Sequence, residues 1–595
     1  MCGIVGIVDL KNNRICESKL NHMNSLLFHR GPDHSNTIIF NNMGFGHNRL
    51  SIIDLDESAN QPMKSFNKEL TIVYNGEIFN YIELRKDLIK KGYLFKTSSD
   101  TEVILASYLE YGQECIEKFN GMWAFAIHDA RDNSIFISRD RFGEKPLYYF
   151  LDHKYFIFSS EKKAITKSLF YHGNIDSKAL ATAHKSPFVL ESSGFTEFEN
   201  LNNLLPGHNI HFKKNKIKVS RWWKIKSESS LENYNEEELT DRFSELLLDS
   251  CNLRLRSDVP ISATLSGGLD SSAIVSNLNL LTKNYDIYSH KFKDAFYDEI
   301  DYAKSVADHL DKKIKIVESS KDDLQKKIDK SIYHIETIYW GVPDSAFRIY
   351  ENQKKDGFKI SIDGHGADEL LGGYISHFDH LAKSKKIFQF KDIFNIWTER
   401  EKQQLMPLKL TNFLKFFILS RLNISSNKND LYSSPYSNEI KNKNFKSQMI
   451  GEFQQTMLPK ILKNFDALSM ANSIEVRMPF LDHRLVEFCF SLKEEYFIRG
   501  KWRKYILRKS IEDKVPNNVA WREDKIGFNS PVSEYLSNQL YDWSNDTINS
   551  PSNEFYDKKQ LSKDLNSIKN NRLQWEKSML IWMKLNTIKL KELLL

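Results

Sequence analysis

Residues 265–272, LSGGLDSS, combine two adjacent glycines with three serines and an aspartate. The apolar run before this stretch and the helix-compatible run after it predict a strand, a glycine turn and the start of a helix. In that layout, backbone N–H groups and the positive end of the helix surround an anion. The glycines let the backbone approach closely, and the serines can cap the helix or donate to phosphate oxygens. The stretch therefore predicts a phosphate site, unless the turn only caps an ordinary helix.

This stretch is not a Walker A loop, because no Gly-Lys-Ser/Thr follows the glycines. Its S-G-G-x-D-S spacing resembles the pyrophosphate loop of enzymes that split ATP into AMP and pyrophosphate. Asp270 is then expected to hold Mg²⁺, since a carboxylate beside phosphates needs a cation between them. The residues of this loop that the resemblance implies for ATP binding are Leu265, Ser266, Gly267, Gly268, Asp270 and Ser271.

Cys2 is the second feature that could do chemistry. If Met1 is removed, Cys2 carries a free α-amino group, and this amine, with a pKa of about 8, can act as the general base of the thiol. The following Gly-Ile-Val-Gly-Ile-Val predicts a buried strand. A cysteine at position 2 is on its own more often an incidental residue, so the interpretation depends on the motifs that follow.

Six motifs follow Cys2 in order. They are residues 29–33 (HRGPD), 46–54 (GHNRLSIID), 74–80 (YNGEIFN), 98–102 (SSDTE), 119–126 (FNGMWAFA) and 139–149 (RDRFGEKPLYY). Together with Cys2 this set resembles the class II glutamine amidotransferase domain, from Cys2 to about Lys163. The resemblance implies an Ntn-type αββα sandwich, in which two antiparallel sheets are covered by helices.

The resemblance also implies how glutamine is held and attacked. Arg49 is suited to a bidentate pair with the α-carboxylate, and Glu77 and Asp100 are suited to the α-ammonium. Asn75 and the backbone N–H of Gly76 are suited to the oxyanion that forms when Cys2 attacks the amide. Taken singly, these residues also fit solvated surface charges and a hairpin turn. The implied glutamine site is Arg49, Leu50, Asn75, Gly76, Glu77 and Asp100, with Arg30 expected only to order a loop.

A second strand runs into a glycine-rich acidic turn at residues 359–374, KISIDGHGADELLGGY. Asp368 offers a second carboxylate, and two carboxylates with substrate phosphates are a normal magnesium site. With residues 465–486 and 500–508, the two loops resemble the synthetase domain of glutamine-dependent asparagine synthetases. That domain is a doubly wound parallel sheet of the adenine-nucleotide α-hydrolase type, with ATP at the carboxyl ends of the strands.

This second resemblance implies ATP and Mg²⁺ as cofactors. It adds Asp363 and Gly364 to the ATP site and assigns the metal to Asp270 and Asp368. Lys504 is implied as the catalytic cation beside the α-phosphate, where attack on ATP needs positive charge. Glu475 and Arg477 are expected to shape the site rather than to react. The implied overall reaction joins ammonia from glutamine to a carboxylate activated as an acyl-adenylate.

The motifs leave the identity of the acceptor carboxylate open. Aspartate, giving asparagine, is the leading hypothesis. However, His365 stands where the family usually has an acidic residue, and residues 377–451 are longer than the usual pattern. An enzyme of the same chemistry that acts on another carboxylate, such as a uronic acid in surface-polysaccharide synthesis, is the close alternative. A catalytically silent regulatory homologue is the third, and the intact set of motif residues argues against it.

Length and composition bound these hypotheses. The 595 residues are 41% hydrophobic, and 84 Lys and Arg against 78 Asp and Glu leave a net charge of +6, which argues for neither a nucleic-acid nor a membrane partner. Five scattered cysteines predict no disulfide framework, and the aromatic stretch 413–419 predicts a core helix. The first residues do not resemble a signal peptide. We expect a cytoplasmic protein with two domains, residues 2–225 and 226–595, and a homodimer is suggested by the family only.

Overall fold

The computed structural model describes residues 2–227, 230–292, 298–320, 322–386, 389–404, 408–421, 444–523, 532–570 and 575–595. Its strands are β1 (Gly3–Asp9), β2 (His34–Phe40), β3 (Met43–Arg49), β4 (Met63–Lys64), β5 (Leu70–Ile78), β6 (Gly121–Asp129), β7 (Ser134–Arg139), β8 (Tyr148–Leu151), β9 (Tyr155–Ser159), β10 (Leu201–Asn203), β11 (His208–Lys213), β12 (Lys216–Arg221), β13 (Ile261–Thr264), β14 (Tyr285–Lys291), β15 (Ile314–Glu318), β16 (Ile360–Ile362), β17 (Glu475–Arg477), β18 (Ile498–Arg499) and β19 (Trp502–Arg503).

The α-helices are α1 (Glu17–Ser25), α2 (Tyr81–Lys90), α3 (Asp100–Tyr111), α4 (Lys163–Thr166), α5 (Ser177–Lys185), α6 (Leu190–Ser193), α7 (Glu236–Arg254), α8 (Leu269–Leu281), α9 (Ile300–His309), α10 (Leu324–Ile335), α11 (Asp344–Lys355), α12 (Ala367–Leu371), α13 (Ser376–Ser384), α14 (Phe390–Gln403), α15 (Leu410–Arg421), α16 (Phe445–Gln455), α17 (Met457–Met470), α18 (His483–Ser491), α19 (Tyr505–Ile511), α20 (Asn517–Ala520), α21 (Val532–Ser537), α22 (Tyr541–Asn549), α23 (Lys558–Asn570) and α24 (Trp575–Leu594). None of these helices is long and apolar enough to cross a membrane within the described residues.

The N-terminal part consists of two six-stranded sheets, ordered β10-β8-β9-β1-β3-β2 and β12-β11-β7-β6-β5-β4. All their pairings are antiparallel. Apolar side chains of β1 and β3 meet those of β5, β6 and β7 between the sheets. The outer face of β1 packs against α1, and the outer face of β5 packs against α3. The expected αββα sandwich is therefore confirmed.

Strand β1 shows why the first residues fold this way. Ile4 and Val8 point into the layer between the sheets, whereas Val5 and Ile7 point to the outer layer. This alternation on two apolar faces is that of a strand that is buried on both sides. The strand directly follows Cys2, so the burial of β1 holds Cys2 in the interior of the fold.

The C-terminal part contains a five-stranded sheet in the order β15-β14-β13-β16-β17, and all of its pairings are parallel. The order runs outward in both directions from β13 and β16. Because parallel crossovers are right-handed, this reversal sends successive helices to opposite faces of the sheet. The expected doubly wound sheet is confirmed, and its switch point lies between β13 and β16, where such folds bind ligands.

Shared apolar clusters join the two parts. Leu50, Phe142 and Trp223 of the N-terminal part belong to the same buried cluster as the core of the parallel sheet. Helices α21 to α24 pack with α1, α5 and α10 against the outer face of the first sheet, and Trp582 of α24 is fully buried there. The C-terminal helices therefore complete the layer that covers the N-terminal sandwich.

Candidate functional site

Cys2 and Asn75 come together at the adjoining ends of β1 and β5. The backbone N–H of Cys2 donates to Oδ1 of Asn75 at 2.9 Å. Burial raises the pKa of the Cys2 thiol, while the Leu50 backbone and the Arg49 side chain act in the opposite direction. Within the part of the chain that the structure describes, the buried Nδ2 of Asn75 has no hydrogen-bond partner. A buried donor without a partner is costly, and it is available to an oxygen of a ligand.

The position of Gly76, next to Asn75, has no room for a side chain. A Cβ at this position would lie 2.1 Å from the carbonyl oxygen of Met122 and 2.7 Å from Cα of Trp123. These atoms belong to β6, which pairs with β5 at this point. The motif glycine is therefore required by the close approach of two strands.

Three carboxylates crowd together next to this site. Asp100, at the N-terminus of α3, accepts hydrogen bonds from the hydroxyl of Tyr74 and the backbone N–H of Ile78, both at 2.9 Å. Burial raises the pKa of Asp100. Burial, Glu475 and Asp100 together raise the pKa of Glu77 well above its usual range. A pKa raised by neighbouring carboxylates marks a region of negative potential, which suits a cationic group.

Glu475 and Arg477 reach this region from β17 of the parallel sheet. Nη2 of Arg477 lies 3.8 Å from Oε1 of Glu77, and Nε of Arg477 lies 2.6 Å from Oε1 of Glu475. All three side chains are buried. The sequence alone does not connect β17 with the N-terminal motifs, because only the packing of the two parts brings them together.

The side chain of Arg49 donates hydrogen bonds to the loop that follows β3. Its Nη1 donates to the carbonyl of Asp56 and to Oδ1 of Asn60, both at 2.8 Å, and its Nη2 donates to the carbonyl of Asp54. The side chain is buried. The structure therefore shows Arg49 ordering the loop after β3, beside the thiol of Cys2.

Arg30 joins the two parts of the protein at Cys2. Its Nε donates to the carbonyl of Cys2 at 3.0 Å, and its Nη1 donates to Asp466 of α17 at 3.0 Å and to Glu161 at 2.8 Å. These neighbouring carboxylates outweigh burial and raise the pKa of Arg30. The sequence suggested a loop-ordering role only, and the signal that could have found this bridge is the presence of Asp466 within a motif of the second part.

The two glycine-rich loops meet at the switch point of the parallel sheet. Residues 265–268 follow β13, and Oγ of Ser266 accepts a hydrogen bond from the backbone N–H of Gly268 at 3.2 Å. Gly267 has a positive φ of +82°, and a Cβ there would lie 2.6 Å from the backbone nitrogen of Ala303. A Cβ on Gly364, after β16, would lie 2.9 Å from the backbone of Ser271. Both glycines are therefore fixed by backbone packing.

Lys504 links the two acidic residues of these loops. Its Nζ lies 2.5 Å from Oδ1 and 2.6 Å from Oδ2 of Asp270, and 2.7 Å from Oδ1 of Asp368. Burial disfavours the charge, but the two carboxylates outweigh it and raise the pKa of Lys504. The structure thus brings together three residues that lie up to 234 positions apart in the chain.

A cavity of about 640 Å³ opens beside Lys504. Its described lining residues come from both loops, including Leu265, Ser266, Gly268, Asp270, Ser271, Asp363, Gly364 and Asp368, and all of them lie between Thr264 and Arg522. Burial and the neighbouring Asp368 raise the pKa of Glu369, which also lines the cavity, to about 7. A site with this volume and one cluster of convergent charges is typical of small-molecule binding.

Another side of the cavity is aromatic. Trp340, His365 and Phe465 line it, and the rings of His365 and Phe465 have centroids 3.7 Å apart. Nε2 of His365 lies 3.5 Å from Oδ2 of Asp363. Asp363 is buried, and it accepts hydrogen bonds from the hydroxyls of Tyr350 at 2.7 Å and Ser361 at 2.6 Å. The side chain of Asp363 therefore supports the loop, since hydroxyl partners already occupy both of its oxygens.

Comparison with known proteins identifies two domains in this chain. Residues 1–223 match the model of the glutamine amidotransferase domain, and residues 242–590 match that of asparagine synthase. The chain is similar to two glutamine-hydrolysing asparagine synthetases of Bacillus subtilis (strain 168). It is 30% identical to number 1, over 93% of this chain and 91% of that protein, and 30% identical to number 3, over 88% and 86%.

A relative with a different name has nearly the same sequence identity to this chain. The amidase chyE of Penicillium rubens is 28% identical, over 84% of this chain and 83% of that protein. Similarity at this level establishes the family but does not distinguish the substrates of its members. On the matches to both domain models and on the length over which its relatives align, this chain belongs to the asparagine synthase family, and it carries a glutamine amidotransferase domain in front of the synthase domain.

Proposed function

We propose that this protein hydrolyses glutamine at Cys2 and uses the ammonia to amidate a carboxylate that ATP has activated, with aspartate as the first candidate acceptor and asparagine as its product. The observation that carries this proposal is the presence of two complete side-chain sets in one chain, one around Cys2 and one around Lys504. We also propose the domain boundaries 2–225 and 226–595.

At the first site, the thiolate of Cys2 attacks the side-chain amide of glutamine after transfer of its proton to the α-amino group that removal of Met1 exposes. The oxyanion is stabilised by Nδ2 of Asn75 and the backbone N–H of Gly76. The α-ammonium of glutamine occupies the negative region around Glu77 and Asp100, and Arg49 faces its carboxylate. Ammonia leaves, a thioester forms, and water then releases glutamate.

At the second site, the acceptor carboxylate attacks the α-phosphate of ATP, and pyrophosphate leaves. Lys504 stabilises the charge that develops on the phosphate. Asp270 and Asp368 converge on a single ammonium group, so the same pair can converge on a divalent cation. When Mg²⁺ is bound there, it neutralises the phosphate oxygens. Ammonia then attacks the acyl-adenylate, and AMP and the amide are released.

Ammonia must pass from one site to the other inside the protein, because it would be protonated in bulk water and lose its nucleophilicity. The contact between the two parts supports such a route. Arg30 binds the carbonyl of Cys2 and also Asp466, and the neighbouring Phe465 lines the second cavity. One helix, α17, therefore touches both sites.

A second acceptor class is favoured by the aromatic side of the cavity. Trp340, His365 and Phe465 line this cavity, and the ring of His365 packs against that of Phe465. Aromatic rings pack well against the apolar faces of a sugar. A carboxylate on a sugar ring, such as a uronic acid, is therefore the alternative acceptor for the same chemistry.

The experiment is to measure pyrophosphate release by the purified protein with glutamine, ATP and Mg²⁺, with and without aspartate. Release that requires aspartate and yields asparagine supports aspartate as acceptor. Glutamine hydrolysis without aspartate-dependent release refutes it, and uronic acids are then tested in the same assay. Protein that lacks Met1 and hydrolyses no glutamine refutes the whole proposal in favour of a silent homologue.

A further inference from the structure

Helices α14 and α15 form a pair that is rich in aromatic residues. Phe390 packs against Phe417 with ring centroids 5.4 Å apart, and Phe394 packs against Phe413 at 5.0 Å. We call α14 and α15 the aromatic helix pair.

The aromatic helix pair has its own small core. Ala382 of α13, Ile393 and Trp397 of α14, and Phe413 of α15 are buried together, separately from the large clusters of the two main parts. The stretch that the sequence predicted to be a core helix thus forms a helix, but only one of its faces is buried. Packing within the pair buries Phe413, but it leaves the outer face of the pair exposed.

On its outer face and just before α15, the pair exposes large apolar side chains to solvent, including part of Phe390 and Phe394, which also pack within the pair. Phe390, Phe394, Leu408, Leu414 and Ile418 are each between 39% and 54% exposed. Leu414 and Ile418 are four positions apart, so they lie on the same side of α15. Exposed apolar groups that cluster in this way mark an interaction surface, whereas single ones do not.

The segment that carries these apolar groups is basic. Residues 383–421 contain nine Lys and Arg and three Asp and Glu, a net charge of +6, which equals the net charge of the whole chain. The average composition that argued against a membrane partner therefore conceals a local excess. Lys391, Lys409 and Lys415 are exposed, and they form no ion pair with any residue that the structure describes.

We propose that the aromatic helix pair docks the protein on the surface of an anionic membrane. Phe and Leu side chains on one face of a helix, flanked by lysines, are the combination that lies in the headgroup region of a bilayer. The described helices include none that could span it, so the pair would rest on the surface. A protein partner or a second copy needs no such excess of unpaired lysines, whereas anionic lipid attracts each of them.

The pair is also linked to the second cavity. Helix α13 begins at Ser376, directly after Tyr374 and Ile375, which line the cavity, and α13 supplies Ala382 to the core of the pair. Docking through α14 and α15 would therefore hold the cavity near the membrane surface. The docking proposal does not depend on which carboxylate the cavity accepts.

The test is co-sedimentation of the full-length protein with phosphatidylcholine vesicles, with and without phosphatidylglycerol. We expect binding only to the anionic vesicles, and weakening by added salt. The triple variant K391Q/K409Q/K415Q should lower the partition coefficient about a hundredfold, at about fivefold per lysine. The double variant L414S/I418S should lower it about tenfold.

Matched controls lie on the N-terminal part. The variants K11Q/K64Q/K86Q and L94S/I89S change the same numbers of exposed residues of the same types, and they should bind vesicles like the wild type. All variants should keep wild-type glutamine hydrolysis, which shows that they fold. Equal binding of wild type and K391Q/K409Q/K415Q, or no binding to anionic vesicles at all, would overturn the proposal. Loss of a dimer in L414S/I418S without any vesicle binding would identify the surface as a contact between copies instead.

Discussion

The two candidate sites differ in how they are assembled. The described residues that line the second cavity all come from the parallel-sheet part, between Thr264 and Arg522. The site around Cys2 takes its charges from both parts, because Glu475 and Arg477 of β17 lie beside Glu77, and Asp466 of α17 binds Arg30. A site built within one part can act alone, whereas a site completed by the other part depends on their contact. We therefore expect changes at the contact to alter glutamine hydrolysis more than ATP-driven chemistry.

The largest effect should separate the two sites completely. The variant C2A should lose glutamine-dependent amidation about 10⁴-fold or more, because no other group can form the thioester. The ammonia-dependent reaction should continue at the wild-type rate, measured as pyrophosphate release with ammonium salts in place of glutamine. Loss of both activities in folded protein would contradict the independence of the second site.

The reverse experiment is K504M. This variant removes the ammonium group between Asp270 and Asp368. Pyrophosphate release should therefore slow about 10²- to 10³-fold, while basal glutamine hydrolysis stays unchanged. K501M, which changes an exposed lysine three residues earlier, is the matched control. The comparison fails if K504M lowers both activities to the same extent.

The contact between the parts is tested by E475Q. This variant removes one of three carboxylates around the proposed ammonium site, and the KM for glutamine should rise about tenfold. The KM for ATP in the ammonia-dependent reaction should not change. E494Q, in a region away from Glu77, should behave as the wild type. An unchanged KM for glutamine in E475Q would show that the site around Cys2 does not use the charge of β17.

The smallest effect on activity is expected at Glu144, which lies between the parts and in neither site. Burial and Asp140 raise the pKa of Glu144 to about 8, and neither of its buried side-chain oxygens has a hydrogen-bond partner among the described residues. Because the folded pKa lies above the unfolded value, the stability that the protonated form contributes is present at low pH and is lost as the pH rises towards 8.

The variant E144Q cannot ionise and should keep that stability. Its free energy of unfolding relative to the wild type should therefore increase between about pH 4.5 and 8, by about 4 kcal/mol. Thermal unfolding at several pH values measures the difference, and E117Q is a control at an exposed position. A difference that does not depend on pH would show that Glu144 titrates normally.

The sequence predicts the residues of both candidate sites where they lie within a short motif. The resemblance of the ordered motifs implies Cys2, Asn75 and Gly76, and the glycine spacing beside acidic residues predicts the loops around Asp270 and Asp368. Sequence reasoning missed the neighbourhood of Glu77 and Glu475, which are about 400 positions apart. It also predicted a core helix at 413–419, because an apolar pattern does not reveal which side of a helix finds a partner.

The sequence by itself determined the fold class, through the resemblance of its ordered motifs to two known domains, and the strand-turn-helix loops, because these depend on short apolar runs and on glycine conformations. Only the tertiary structure decided that Lys504 lies between Asp270 and Asp368, that Arg30 joins Cys2 to Asp466, and that the outer face of α14 and α15 has no covering element among the described residues. Such contacts join distant parts of the chain. They arise from the packing of whole sheets and helices, which no local pattern of residues specifies.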